Sequence, residues 1–245
     1  MTSSIGVIGA GVMGSGIAQT LATAGYPTVC TDVSEEAIKL AREQVRTGRY
    51  GFERAVERGK LERESAEAAY ERLCFTDSLD EAAACDLVIE CVPERLDLKL
   101  RLFRDLDALA PEATILASNS SGFPIAAIQA VTNRPDQVIG WHWASPPVIM
   151  RFAEIVVTEQ TSPEAIATVE TVARGCGKNP VVVKDAPMSW GYVSNRVYFA
   201  MIREAQRVVD EGVATPDQVN QLMVDCFNWP VGPFAMVRGA SEGWQ

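Results

Sequence analysis

The sequence predicts an α/β fold: a doubly wound parallel sheet with helices on both faces, followed by a smaller all-helical domain. Three observations predict it. Short apolar runs alternate with amphipathic stretches over residues 5–142, as strands do with crossover helices. A glycine-rich turn joins the first apolar run to the first amphipathic stretch. After Lys184 the strand-like runs stop and only helical periodicity remains. A chain of 245 residues can bury a real core, as one large domain or two modest ones.

The elements follow in order. "SIGVIGAG" is a short buried strand ending in glycines, and "MGSGIAQTLATAGY" is a helix closed by Gly25. "TVCTDVS" is a second strand, with Ser34 as N-cap for the helix "EEAIKLAREQV". Residues 48–73 are charged and alanine-rich and read as helical. "DLVIECV" is the next strand, apolar except for Glu90, and "LKLRLFRDLDAL" sets Leu102, Phe103, Leu106 and Leu109 at helical spacing. "TILASN" and "QVIGWH" are two more strands. "FAEIVV" and "NPVVVK" are strands around a helix that opens at Ser162-Pro163-Glu164. There serine caps the end and proline takes the first helical position. Gly175 and Gly177 stop that helix. The domain boundary is expected near Lys184, before Asp185-Ala186-Pro187, giving residues 1–184 and 185–245. In the second part "NRVYFAMIREAQRVVDEG" is an amphipathic helix ended by Gly212, and Thr215 caps "TPDQVNQLMVDCF". The closing "VRGASEGWQ" reads as a chain stopping one helical hairpin short of a bundle.

Composition excludes several roles. The net charge of −10 argues against nucleic acid as the main partner, because phosphate backbones are held by clustered Lys and Arg. No apolar run reaches the roughly 18 residues of a membrane span, and the N-terminus lacks the basic start and cleavage site of a secretory signal. None of the six cysteines forms a C-x-x-C pair, so no metal site is expected. Cys30 and Cys91 lie in strand-like runs, as small buried hydrophobes do. A reduced, cytoplasmic protein is the expectation.

Gly9, Gly11 and Gly14 form G-x-G-x-x-G between a strand and a helix, with Asp32 ending the second strand. Alone the pattern is weak; in this βαβ setting each part has a mechanical role. Gly9 permits the tight turn, Gly11 lets a pyrophosphate reach the helix N-terminus beside Val12 and Met13, and Gly14 allows close helix–strand packing. The Asp32 carboxylate accepts hydrogen bonds from ribose hydroxyls and repels a 2′-phosphate. The expected domain is therefore Rossmann-like and its cofactor NAD rather than NADP. FAD fits the same turn, but so short a chain leaves little room for a flavin-enclosing domain.

His142 is the only histidine. It ends a predicted strand, at the edge where open α/β sheets bind ligands. Oxidising an alcohol with a nicotinamide needs a group that takes the hydroxyl proton as hydride leaves, and histidine suits that task. Glu154 is the one acid in the apolar "FAEIVV". A carboxylate buried there needs a partner, and an imidazole partner would have its tautomer fixed. A hydrogen-bonded core histidine is the bland alternative.

At these residues the sequence resembles the L-3-hydroxyacyl-CoA dehydrogenase superfamily. The resemblance runs from Ile5 to Phe234 and rests on "IGVIGAGVMGSGIAQTLATAGY", "DLVIECVPERLDLKLRLFRDLD", "ILASNSS", "GWHWASPPVIMRFAEIV", "GKNPVVVKDAP" and "WPVGPF". It implies that His142 is the general acid/base and Glu154 its orienting partner. It also implies that Ser121 and Asn195 hydrogen-bond the substrate oxygen. Glu94 and Lys99 would lie beside the ribose and nicotinamide end of the cofactor, and Asn119 joins that cofactor set. From the residues alone, Ser121 reads equally as a helix cap and Asn195 as a helix surface residue. A dimer through the helical part, a small-molecule substrate and no membrane partner complete what the resemblance implies.

Departures from the family pattern cluster near the expected substrate site. Trp143-Ala144-Ser145-Pro146 stands where the family has Phe-Phe-Asn-Pro, and "MSWGYVS" lengthens the entry before Asn195. Trp143 and Trp190 are either pocket walls or core. Arg46, Arg49, Arg54, Arg58 and Lys60 are candidates for coenzyme A phosphates, but alternation with Glu53, Glu57 and Glu62 reads equally as a solvated face. A free 3-hydroxy acid, an ester or a bulky aromatic ketone is the alternative substrate, and a non-catalytic NAD(H)-binding protein is the competing function.

Overall fold

The computed structural model describes residues 4–186 and 188–242; the expected junction residue Pro187 and residues 243–245 of the closing stretch lie outside the described residues. The chain divides into two compact units, Met1–Trp190 and Gly191–Gln245.

The first unit begins with β1 (Ile5–Ile8), α1 (Val12–Thr23), β2 (Thr28–Thr31) and α2 (Glu35–Thr47). It continues through α3 (Phe52–Glu57), α4 (Arg63–Glu71), β3 (Leu73–Thr76), α5 (Leu79–Ala83) and β4 (Leu87–Glu90). Then come α6 (Leu96–Leu109), β5 (Ile115–Ser118), α7 (Ile125–Gln129) and β6 (Val138–Trp143). It closes with β7 (Phe152–Val157), α8 (Pro163–Gly175) and β8 (Asn179–Lys184). The strands form one sheet in the order β3-β2-β1-β4-β5-β6-β7-β8. The chain doubles back between β1 and β4, the switch point at which such sheets bind ligands.

All neighbouring strands are parallel except β6 and β7. The 144–151 link explains the exception: it is too short for a crossover and closes a hairpin instead. The central strands β1, β4, β5 and β6 are buried along their whole length, which is why they read as apolar runs without alternation. Cys30 belongs to this core, and burial together with the Asp32 charge pushes its thiol up to about 12. It packs and does not react.

Caps and stops fall where their chemistry places them. Ser34 accepts from the Ala37 N–H and Ser162 from the Ala165 N–H. Gly25 and Gly177 take positive φ just past α1 and α8. The helical reading of residues 48–73 needs correction. Gly51 precedes α3 and Gly59 turns with φ +64, so the stretch breaks into two short helices. These pack Phe52, Ala66 and Ala69 with Val45 of α2 into a small separate core. Its end is β3, an edge strand that pairs with β2. Only Leu73 and Phe75 of β3 touch the main core, too little apolar signal to stand out from the helical pattern before it.

The second unit holds α9 (Val193–Asp210), α10 (Pro216–Phe227) and α11 (Pro233–Glu242). Thr215 and Gln218 form a reciprocal capping box at α10, and Gly212 has φ +72 after α9. Among the described residues no helix is long and apolar enough to cross a membrane.

Candidate active site

The glycine turn between β1 and α1 separates into two functions. A Cβ on Gly9, which has φ +103, would sit 2.7 Å from the Cys91 carbonyl oxygen, and one on Gly14 would overlap the Gly9 carbonyl. Both positions let backbones approach closely. Gly11 is different: nothing lies within 4 Å of a Cβ built there. It caps α1, which has no acidic residue in its first turn, and the helix presents its positive end to that open space. Val12 is exposed and Met13 half-buried beside it. Asp32 closes the far side. One carboxylate oxygen accepts the Ala10 N–H at 2.8 Å and the other the Ser34 N–H at 3.0 Å. An open cradle at a helix N-terminus, facing a fixed carboxylate, fits a dinucleotide with a free ribose 2′-hydroxyl.

His142 and Glu154 face each other directly across the antiparallel β6–β7 pair, so their side chains share one face of the sheet. His142 Nδ1 lies 3.0 Å from Glu154 Oε2, with both side chains at most 10% exposed. The Phe152 ring meets the imidazole edge-on, 5.2 Å away. β5 runs parallel beside them with Ser118 opposite Gly140, which sets the Ser121 loop and His142 at the same end of the sheet.

Beneath that end lies a buried ion-pair network. Glu90, wholly buried, accepts from Lys99 Nζ at 2.5 Å, the Val92 N–H at 2.8 Å and Ser118 Oγ at 2.7 Å. Lys99 also reaches Glu94 Oε2 at 3.2 Å. Burial opposes the Lys99 charge, but Glu90 and Glu94 more than offset it and hold the ammonium above the ordinary lysine range. Glu94 in turn accepts from Ser120 Oγ at 2.5 Å and from the Ser121 N–H at 2.9 Å. Glu94, on the turn after β4, thus ties that turn to the loop after β5, and Lys99 links it to the buried Glu90.

The expected site residues are placed unevenly. Ser121, Glu94, Lys99, Asn119, His142 and Glu154 all stand at the C-terminal end of the parallel strands. Asn119 Oδ1 accepts the Trp143 N–H at 2.9 Å, bracing the end of β6. Lys99 is 1% exposed. Asn195 lies in the first turn of α9, in the second unit. Trp143 is core rather than a pocket wall: it is 2% exposed and packs on Trp141 with ring centres 4.9 Å apart. Trp190 is half-exposed. Arg46 pairs with Glu53 and Arg54 with Glu57, all on the surface. Glu90 stands out in the sequence as the acid of its apolar strand, but the sequence alone assigns it no role. Its signal, a single acid in an apolar strand, is the same one that singled out Glu154.

Family comparisons agree with this geometry. The model described as "3-hydroxyacyl-CoA dehydrogenase, NAD binding domain" matches residues 4–186, and the one for the C-terminal domain of the same family matches residues 191–242. A Bacillus subtilis protein named probable 3-hydroxybutyryl-CoA dehydrogenase is 40% identical over 230 residues, 94% of this chain and 78% of that protein. A Mesorhizobium japonicum protein named 5-formyl-3-hydroxy-2-methylpyridine 4-carboxylate 5-dehydrogenase is 37% identical, over 95% of this chain and 72% of that one. The crystal structure of (S)-3-hydroxybutyryl-CoA dehydrogenase from Ralstonia eutropha superposes with a TM-score of 0.90 at 35% identity, covering 96% of this chain and 81% of that one. The glycine cradle, the fixed Asp32 and the matched domains together place this chain in the 3-hydroxyacyl-CoA dehydrogenase family, as an NAD-dependent oxidoreductase.

Proposed function

We propose that the protein interconverts a 3-hydroxyacyl-CoA thioester and its 3-keto form, with His142 as the acid/base. The observation that carries this reading is the buried His142–Glu154 pair at the ligand edge of the sheet. With Nδ1 engaged by Glu154, proton transfer falls to Nε2. In oxidation Nε2 takes the C3 hydroxyl proton, and in reduction it returns a proton to the carbonyl oxygen. Glu154 fixes the ring tautomer and stabilises the imidazolium. NAD, when bound, supplies the hydride acceptor, and NADH the donor. Ser121 donates its hydroxyl to the C3 oxygen, and Asn195 its amide, polarising the carbonyl. Gly11, Val12 and Met13 hold the pyrophosphate end of the cofactor and Asp32 its adenosine ribose. Glu94 supports the other end, with Lys99 and Asn119 acting behind it.

Residues 1–184 serve as the cofactor domain, and residues 185–245 close on the substrate and form a homodimer. Exposed apolar side chains on the helices of the second unit, among them Val197, Leu222 and Phe227, support the dimer. Six free thiols support a reducing, cytoplasmic setting.

A second reading has a specific observation behind it. The Mesorhizobium relative is named for a free pyridine carboxylate, and Ser145 replaces an asparagine of the usual family pattern. A free or aromatic 3-hydroxy acid is the substrate on that reading. A substrate panel followed at the NADH absorbance decides between them. Acetoacetyl-CoA turned over at least tenfold faster than free acetoacetate or aryl ketones supports the thioester; the reverse order supports the free acid.

A further inference from the structure

Lys178 stands between Gly177 and β8 and is 6% exposed, yet nothing in the acid/base reading uses it. Its Nζ donates to the Pro147 carbonyl oxygen and, at 2.7 Å, to that of Met150. The same ammonium lies 5.1 Å from the centre of the Trp143 ring. Among the described residues no carboxylate pairs with it. An ammonium buried in this way is costly, and burial holds its pKa below the ordinary lysine value. The cost is offset only where its hydrogens meet acceptors, so the two carbonyls and the indole face fix one geometry.

What that geometry holds is the 144–151 link, the connection between the strand of His142 and the strand of Glu154. The next residue adds a second tie, as the Asn179 N–H donates to the Arg151 carbonyl at 2.7 Å. On its other side the link rests on the cofactor helix. A Cβ built on Gly16 of α1 would lie 3.2 Å from both Cγ and Cδ of Pro147. The link is therefore clamped between α1 and Lys178, and its two ends run into the strands that carry His142 and Glu154.

Resting on the reading of His142 as acid/base, we propose that Lys178 is a positioning residue. It clamps the 144–151 link against α1 and so sets His142 and Glu154 relative to a cofactor held at the glycine turn. The arrangement matters because misplacement of about 1 Å can cost roughly 100-fold in rate. Lys178 touches neither substrate nor cofactor in this account, so its loss lowers kcat rather than cofactor affinity.

The test uses the full chain, with acetoacetyl-CoA and NADH, comparing K178M, K178R and H142Q. K178M keeps the aliphatic stem and removes the donors. Its kcat is expected to fall about 10- to 100-fold, with KM and the NADH Kd changed less than about threefold and a cooperative melt retained. K178R, which restores charge and donors, recovers part of the loss. K178M turnover within about twofold of the parent, with H142Q inactive, overturns the proposal and leaves the acid/base reading intact. An active H142Q instead overturns the acid/base reading. Should K178M fail to fold, Gly16→Ala presses the same link from its other side: kcat lowered severalfold with an unchanged melt supports the clamp, and parental kcat contradicts it.

Discussion

Nδ1 of His142 lies 3.0 Å from Oε2 of Glu154, on residues directly opposed across an antiparallel strand pair. The twelve-residue spacing in sequence becomes a cross-strand contact because the 144–151 link closes a hairpin. Glu154 offers this nitrogen an acceptor and no donor. Glu154→Gln keeps the shape and removes the charge, and its amide can turn an N–H towards Nδ1 and stabilise the wrong tautomer. Its kcat is expected to fall by about 100-fold or more, with NADH binding retained by fluorescence titration. Parental kcat would remove Glu154 from the mechanism.

The Glu90–Lys99 pair calls for a different kind of variant. Removing Lys99 strands the buried Glu90 charge, at a cost of about 3–5 kcal/mol, and removing Glu90 leaves the buried ammonium only the partly exposed Glu94. Glu90→Gln and Lys99→Met should therefore each lower the melting temperature strongly. The double variant removes both charges and should recover most of that stability. It should not recover turnover, because Glu94, the acceptor of the Ser121 N–H, is no longer held by Lys99. Parental turnover in the double variant would show that the network serves the fold alone.

Asp107 gives the fold a stability term that acid removes. It accepts from the Asn133 N–H and side chain at 2.8 Å each and from Arg134 Nε at 2.9 Å. Burial alone would raise its pKa, but these donors more than offset that and hold it below the ordinary value. A carboxylate lowered in the folded state stabilises the protein above its unfolded pKa, near 4, and loses that contribution as pH falls through the folded one. Asp107→Asn is expected to cost about 1–3 kcal/mol at pH 7, or roughly 2–10 °C in melting temperature. The gap to the parent should narrow as pH falls below about 4 and on through the lowered folded-state pKa. A gap that stays constant with pH would show that charge plays no part.

Most of the first unit was legible in the sequence because its signals are local. Apolar runs give the buried strands, and Ser34 and Ser162-Pro163 give helix starts, as Thr215 does in the second unit. The edge strand β3 was not legible, because half-exposed strands lack both a continuous apolar run and clean alternation. The site divides in the same way. His142 and Glu154 stand out as rare residue types in apolar strands. Ser121 and Asn195 came only through the family pattern, since neither differs locally from other polar residues. Lys178 gives no sequence signal at all: its role depends on the Pro147 and Met150 carbonyls, which only the folded hairpin brings to it.

The central claim is that His142 handles the proton while the glycine turn and Asp32 hold the cofactor. His142→Gln separates the two. NADH binding followed by fluorescence should stay within about threefold of the parent, while kcat for acetoacetyl-CoA reduction falls by about 100- to 10,000-fold. Turnover close to the parental rate, with NADH binding unchanged, would contradict the account.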